Sequence, residues 1–530
     1  MDISNNEYVN RLKVYQDKIA EQNKSVSTIG YLRLFTFIIG IGVTFYTFSI
    51  KSYVISIGVF VVSMAIFIYL ISAYNKETKK REYSIALKDI NEKALKRLNG
   101  QWKNFEDDGS EFKDEQHSYS GDLDIFGLNS LFQWINSTKT FMGRQTLKNR
   151  LITPLKTPFD IKMTQQSLLE LAMNLQWRQS FEAEGMVISN ECINPKQLCG
   201  WAKEKNELYS KSWLILLVRL LPAVTIITII LYYSTSLIDY RLPRIMLVIQ
   251  IIFLFIGLKK RSAAFNGIYK YKNSIDIYQK MLSLINQKDF KSDYLKQLKN
   301  NLSQSKEDCA VKAIKKLASI YDKVSHRRNT FFIIINILLL WDYQCMIEFE
   351  KWRASSGKNL EKWFDVIGQF EALNSISNII YDNPKWVMPL VSDGDFIIKA
   401  EGLGHPLLGD KRVCNNITIR QQRNILLITG SNMSGKSTFL RTVGINLILS
   451  YIGSPVCSVK FECSLMKVFT CMRTSDNLDN NISSFYAEIL RIKAIVESVR
   501  DNKKVFFLLD ELFKGTNSID RHDGYPSNCQ

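Results

Sequence analysis

The sequence predicts a multi-domain chain: two apolar helical hairpins, an all-α core with lever helices, and a C-terminal α/β domain. Three observations carry this. Uncharged apolar runs long enough to cross a bilayer lie near the N-terminus. Long stretches without proline, polar on one face, fill the middle. Near the C-terminus, short strand-like apolar runs alternate with helical patterns. The expected divisions are an N-terminal helix over 1–33, a hairpin over 34–74, and a helix with an acidic linker over 75–122. The helical core then takes 123–206 and 263–383, interrupted by a second hairpin over 207–262, and 384–530 is the α/β domain.

The first hairpin rests on charge. Leu34 to Ile50 carries none, and after Lys51 and Ser52 neither does Tyr53 to Tyr74. A helix needs about 20 apolar residues to cross the hydrocarbon core, so the pair reads as a tight transmembrane hairpin. Arg33 precedes it, and Lys76, Lys79, Lys80 and Arg81 follow. The positive-inside rule puts both outer ends in the cytoplasm. In the second hairpin, Trp213 to Tyr233 is interrupted only by Arg219, which can snorkel. Ile245 to Leu258 is shorter, is extended by Leu242 and Pro243, and holds Gln250 ahead of Lys259, Lys260 and Arg261. The alternative for this pair is two buried helices. Phe331 to Leu340 is too short to span and reads as a core helix segment. Tyr83 to Trp102 and Tyr269 to Lys323 lack proline and read as helical. Glu106 to Asp122 is acidic, carries Gly and Ser, and reads as a linker.

The net charge of +18 over 530 residues suits an anionic partner, either nucleic acid or an acidic leaflet. The nine cysteines include no pair at CxxC spacing, and the four histidines His117, His326, His405 and His522 form no ligand cluster in sequence. That argues against a zinc site or a disulfide framework and fits a reducing compartment. The first thirty residues are polar and charged, unlike a cleavable signal peptide.

The strongest motif is N424-I-L-L-I-T-G-S-N-M-S-G-K-S-T-F-L-R441. Ile425 to Ile428 reads as a buried strand, and Phe439 onward is helical in pattern. Between them, Gly430, Ser431, Asn432, Met433, Ser434, Gly435, Lys436 and Ser437 fit G-x-x-x-x-G-K-S, with Thr438 next. Strand before and helix after are the context that identifies a P-loop, whose amides curl around phosphates at a helix N-terminus. Lys436 is expected to reach the β- and γ-phosphates of ATP, and Ser437 to ligate magnesium. Val505 to Leu509 reads as a second strand and ends in Asp510 and Glu511. Asp510 is expected in the magnesium shell, and Glu511 to orient or deprotonate the attacking water.

These residues resemble one family, the MutS-related ATPases. Its loop reads roughly T-G-x-N-M-x-G-K-S-T, and Thr429 to Thr438 match it. The Asn432-Met433 pair discriminates, because phosphate binding does not demand it. Gly515, Thr516, Asn517 and Asp520 match the family's G-T-[SN] and Asp beyond the acidic pair. Ser483 to Glu488, S-S-F-Y-A-E, is similar to a signature segment that faces the nucleotide of the other subunit. The resemblance therefore implies a homodimer, a composite site, and a catalytic role for Ser483 beside Lys436 and Glu511. His405 and Asn415 resemble the stretch near the bound nucleotide. An ABC transporter is the nearest rival, but an L-S-G-G-Q signature is absent. Leu131 through Thr140, Gly143 and Arg144 to Leu171 looks like the start of the family's helical core, and Ile367 to Leu373 like its end. The match covers about 123–206 and 330–522.

Three departures shape the expectations. The N-terminus offers no counterpart to the family's mismatch-reading domain. The second hairpin lies where the family's levers run towards a DNA clamp. After Arg521 the family character is lost, His522 comes too early for the family's γ-phosphate-sensing histidine, and Asp523 to Gln530 resemble readout of a shifted frame. The expectation is an ABC-type P-loop domain lacking its last strands, with impaired turnover. The implied protein is an ATP- and Mg²⁺-dependent, mismatch-repair-related ATPase in a bacterial inner membrane, with its ATPase domain in the cytoplasm and DNA as a partner. The alternatives are a membrane-tethered ATP switch without nucleic acid and a non-catalytic remnant.

Overall fold

The computed structural model describes residues 2–186, 193–204, 207–234, 238–303, 309–325, 327, 332–421, 424–431, 433–472, 484–501 and 504–511. Two compact units divide the chain: Met1–Ser137, Leu147–Val187 and Leu373–Gln530 make the first, Thr138–Thr146 and Ile188–Ala372 the second.

The first unit begins with α1 (Asp2–Ser49) and α2 (Tyr53–Leu98). The turn falls where the charge pattern breaks: Lys51 takes a φ of 62°, and its amide and that of Ser52 close on Phe48 O and Thr47 O. The legs pack closely. Ser56 Oγ donates to Thr44 O at 3.0 Å, and a Cβ on Gly40 would fall 2.7 Å from Ser63 Cβ. Side chains pointing away, such as Phe35, Ile38, Ile57 and Val61, are exposed. Both helices run on beyond the apolar stretch without a break.

After α2 come α3 (Leu131–Ile135), α4 (Phe141–Ile152), α5 (Pro158–Ala172) and α6 (Leu175–Met186). Ser130 and Thr157 cap α3 and α5 by accepting from Gln133 N and Asp160 N. The stretch between α2 and α3 corrects the linker expectation. Phe112, Tyr119, Leu123, Ile125 and Phe126 are buried, and Phe112 packs edge-on against Phe126 and Phe132. The acidic composition masked the apolar residues that anchor the segment.

The second unit contains α7 (Lys196–Lys203), α8 (Ser212–Ser234), α9 (Arg241–Phe255), α10 (Leu258–Tyr269), α11 (Lys272–Gln287), α12 (Asp293–Asn300), α13 (Ala310–Ser325), α14 (Phe332–Leu339) and α15 (Trp341–Ser356). It also contains most of α16 (Leu360–Asp382). The helical run over Tyr269 to Lys323 is three helices, and the break after α11 lets Phe290 pack on Phe370. The carbonyls freed where α9 ends are taken by the Arg261 guanidinium, which donates to Leu254 O and Ile256 O, and by Tyr343 OH. The core-segment expectation for Phe331 to Leu340 holds in part: Phe332 and Leu340 are buried and Ile337 packs on the core around Leu340, but Ile333, Ile334 and Ile335 are exposed. Helix α14 packs against α8, α9 and α15, and these three isoleucines lie on the side those neighbours leave uncovered. The resembling core stretches do meet here. Glu371 is buried and accepts from Lys139 N at 2.7 Å, Thr140 N at 3.1 Å and Thr140 Oγ1. Gly143 leaves room for that carboxylate, since a Cβ there would lie 2.3 Å from Glu371 Oε2.

The C-terminal part of the first unit holds β1 (Leu390–Ser392), β2 (Ile397–Leu403), β3 (Asn415–Arg420), α17 (Lys436–Tyr451), β4 (Lys460–Ser464), β5 (Lys467–Cys471), α18 (Ser484–Arg500) and β6 (Val505–Leu509). The strands form a four-stranded mixed sheet in the order β1-β4-β2-β3 and a separate parallel pair, β5-β6. The β6 bounds are those the apolar run predicts. The strand expected over Ile425 to Ile428 is corrected: residues 424–430 have no regular structure, and Ile425, Leu426 and Leu427 are 68%, 50% and 85% exposed. A strand needs a ladder to pair its peptide groups. Among the described residues, no strand pairs with this run.

Among the described residues, three helices are long and apolar enough to cross a membrane, or up to five if each of two bent pairs is one span. Gly40→Leu is expected to force α1 and α2 apart and to cost about 1–3 kcal/mol. A lower thermal midpoint in detergent checks this, and an unchanged midpoint would show that the legs do not depend on that approach.

Candidate functional site

The loop before α17 is shaped by two left-handed positions. Gly435 has a φ of 93°, which glycine adopts freely, and Met433 has a φ of 66° with its side chain fully exposed. The turn closes through Ser434 N to Ser431 O at 3.2 Å, and the helix starts with Phe439 N to Gly435 O at 2.9 Å. A Cβ on Gly430 would fall 2.9 Å from Ser434 Oγ, a hydroxyl that can turn aside. Lys436 is the first residue of the helix, and its ammonium donates to Gly430 O at 2.7 Å and Ser431 O at 3.2 Å. The side chain therefore lies back along the loop, over the first-turn amides that an anion would use.

Ser437 and Asp510 are 73 residues apart, yet the Ser437 hydroxyl donates to Asp510 Oδ2. β6 delivers the carboxylate, and Asp510 N donates to Cys471 O at 3.0 Å, which continues the β5-β6 ladder by one bond. Glu511 follows with a φ of 46° and is exposed. The turn at Glu511 ends the strand as the acidic pair emerges. A hydroxyl and a carboxylate at the start of a helix suit a small hard cation that keeps most of its water and takes its remaining ligands from a phosphate. Among the described residues, no group of three or more His, Cys, Asp or Glu is arranged to hold a metal.

His405 follows β2, and its Nδ1 accepts from Leu407 N at 3.3 Å. Burial pushes its pKa down to about 4, with Arg441 adding to this and Asp124 opposing it. The stretch is tied to α17 by Asn446, which was not singled out in the sequence. Asn446 Nδ2 donates to Gly404 O at 3.0 Å and its Oδ1 accepts from Cys457 N at 2.9 Å. A lone amide inside the apolar run Val443 to Leu449 was the signal for it. Asn415 opens β3 opposite Leu403 and is exposed. Among the described residues, no side-chain hydrogen bond joins it to the loop. Thr438 is exposed at the start of α17, and its carbonyl accepts from Thr442 Oγ1. Asn432, Ser483, Gly515, Thr516, Asn517 and Asp520 lie outside the described residues.

One family model matches this region, and several curated proteins match part of the chain. Residues 426–524 match the family model for MutS domain V. The chain is 30% identical over 170 residues to the DNA mismatch repair protein MutS of Fusobacterium nucleatum, covering 31% of this chain and 19% of that protein. It is 32% identical over 174 residues to the protein of that name in Protochlamydia amoebophila, covering 32% and 20%. It is 38% identical over 120 residues to mouse MutS protein homolog 4, covering 22% and 12%. The chain thus spans a fifth or less of the length of these curated relatives.

Two outcomes are expected here. Asn446→Ala leaves Gly404 O and Cys457 N without a partner, at a cost of about 1–3 kcal/mol for each buried group, and should lower the urea midpoint. His405, with a folded pKa of about 4, lies below its unfolded value of roughly 6.5. The unfolded chain therefore binds more protons across that window, and stability should fall as pH drops from about 6.5 towards 4. His117, which burial also lowers, adds in the same direction. His405→Gln should flatten the pH dependence of the midpoint, and an unflattened slope would remove His405 as its source.

Proposed function

We propose, on the MutS family membership that these matches support, that this chain is a membrane-anchored, MutS-like ATPase that acts on DNA. The observation that carries the reading is the Ser437 to Asp510 hydrogen bond at the start of α17. It brings the loop and the acidic strand end together, as ATP hydrolysis requires. Magnesium, when bound, neutralises charge on the β- and γ-phosphates. Lys436 exchanges the loop carbonyls of Gly430 and Ser431 for phosphate oxygens. The amides of Ser434 to Thr438 cradle the phosphates, and Ser437 and Asp510 hold the cation. Glu511 orients the attacking water and takes its proton. Ser483 completes the site from a second copy of the chain, so turnover belongs to a homodimer.

The exposed apolar faces of α1, α2 and α8 support an anchor in the membrane. The net charge of +18 supports an anionic partner, and the relatives' names point to DNA. A second reading, a switch that moves a membrane or protein partner without nucleic acid, is favoured by one observation. Basic residues cluster next to the apolar spans, at Lys79 to Arg81 and at Lys259 and Lys260, where anionic headgroups attract them.

Lys436→Ala should abolish tight nucleotide binding, measured by equilibrium titration. Glu511→Gln should retain bound ATP and lose turnover by about a hundredfold or more, and equal turnover would remove Glu511 as the base. DNA should raise ATP turnover of the full chain in detergent, with an effect that fades steeply as salt rises. No stimulation at low salt would favour the second reading.

A further inference from the structure

The segment after the first hairpin holds a position that the motifs did not suggest. Residues 115–124 lie along the end of β5. Thr470 N donates to Ser118 O at 2.8 Å, so the segment meets the strand edge through its backbone. Its centre is Asp122, whose side chain is 2% exposed. Asp122 Oδ2 accepts from Thr470 Oγ1 at 2.8 Å, Met472 N at 3.1 Å and Arg491 Nη1 at 2.9 Å. Arg491 projects from α18, and its Nη2 donates to Glu115 O at 2.9 Å. One buried carboxylate therefore joins the last residues of β5 to the helix that follows.

The next residues face the nucleotide loop's own elements. Leu123 fills the space at Gly444 on α17, where a Cβ would lie 2.6 Å from Leu123 Cδ2 and 2.9 Å from Leu508 Cδ1 on β6. Asp124 lies 3.8 Å from Arg441 on α17. The segment is held from behind as well: Tyr119 OH donates to Leu151 O at 2.7 Å, and His117 Nε2 meets Ile152 O at 3.2 Å. The accepting role of His117 Nδ1 towards Tyr119 N and Ser120 N assigns the ring proton to Nε2.

We propose that residues 115–124 form a strap and that Asp122 is its positioning residue: it sets α18 and the end of β5 against α17 and β6, in the register that hydrolysis needs. Asp122 acts through Arg491, Thr470 and Met472. The proposal rests on the ATPase reading for its effect on turnover, but not for its structural part. Loss of one partner from a buried charged hydrogen bond loosens the elements it joins, and small misplacement of catalytic groups costs rate before it costs binding.

The test uses the full chain in detergent. Asp122→Asn keeps the shape and loses the charge; Arg491→Ala removes the partner at a half-buried position; Arg491→Lys is the conservative variant. Amide exchange is followed without nucleotide, and turnover and nucleotide affinity are measured separately. Asp122→Asn and Arg491→Ala should each speed exchange in β5 and α18 by about tenfold. Each should lower turnover by about tenfold while nucleotide affinity stays within about twofold. The double variant should be no worse than the poorer single one, because both remove one interaction, and Arg491→Lys should recover part of the rate. Unchanged exchange in both single variants overturns the strap. Turnover and affinity falling together overturns the positioning role. If the unaltered chain binds no nucleotide but exchange rises in the variants, the ATPase reading fails and the strap stands.

Discussion

A carboxylate shut away from water organises the first unit. Asp382, at the end of α16, is buried and meets both legs of the hairpin: Tyr8 OH from α1 donates to it at 2.8 Å, and Arg97 from α2 lies 3.6 Å away. Burying a charge costs several kcal/mol unless cations and donors surround it. Tyr8 and Arg97 therefore tie α1 and α2 to the end of α16. Arg97 also donates to Trp134 O at 2.9 Å, and Arg178 reaches Asn378 on the turn of α16 before Asp382. The strands and the glycine-containing loop before α17 continue the chain from that same end of α16.

The chemistry at the loop depends on what its neighbours leave free. The first turn of α17 presents amides, and the strand pair β5-β6 presents acid to the same place. Neither element is sufficient alone. A glycine-containing loop at a helix start is a common feature, and an acidic strand end is ordinarily solvated. Their meeting through Ser437 and Asp510 turns two common features into a specific one. Asn446 and Leu123 support it from behind, one by hydrogen bonds and one by volume.

Legibility in the sequence followed the range of the interaction. The turn at Lys51, the β6 bounds and the cap at Gly435 are local, and charge or glycine placement announced each. The helical-core stretches around Gly143 and Glu371 were legible only through resemblance, because their meeting spans more than two hundred residues. Composition misled at Glu106 to Asp122, where acidic residues on the outside hid Phe112 and Tyr119 inside. The run Ile425 to Ile428 misled for a different reason. Hydrophobicity reports that a segment wants burial, but a strand also needs a neighbour to pair with. Ser483 and the residues after Glu511 could be read only by family resemblance.

The length of the first two helices has an electrostatic consequence. Tyr8 is about 42 residues from the turn, which at 1.5 Å per residue is roughly 60 Å along α1. With the apolar end in a hydrocarbon core about 30 Å thick, Tyr8 and its contact with Asp382 stand some 30 Å clear of the near boundary. That is three or more Debye lengths at physiological salt, where the Debye length is about 8 Å. The field of an anionic leaflet is spent before it reaches this height. Charge at the lipid surface can hold the lysines beside the spans, but it cannot reach Tyr8 and Asp382.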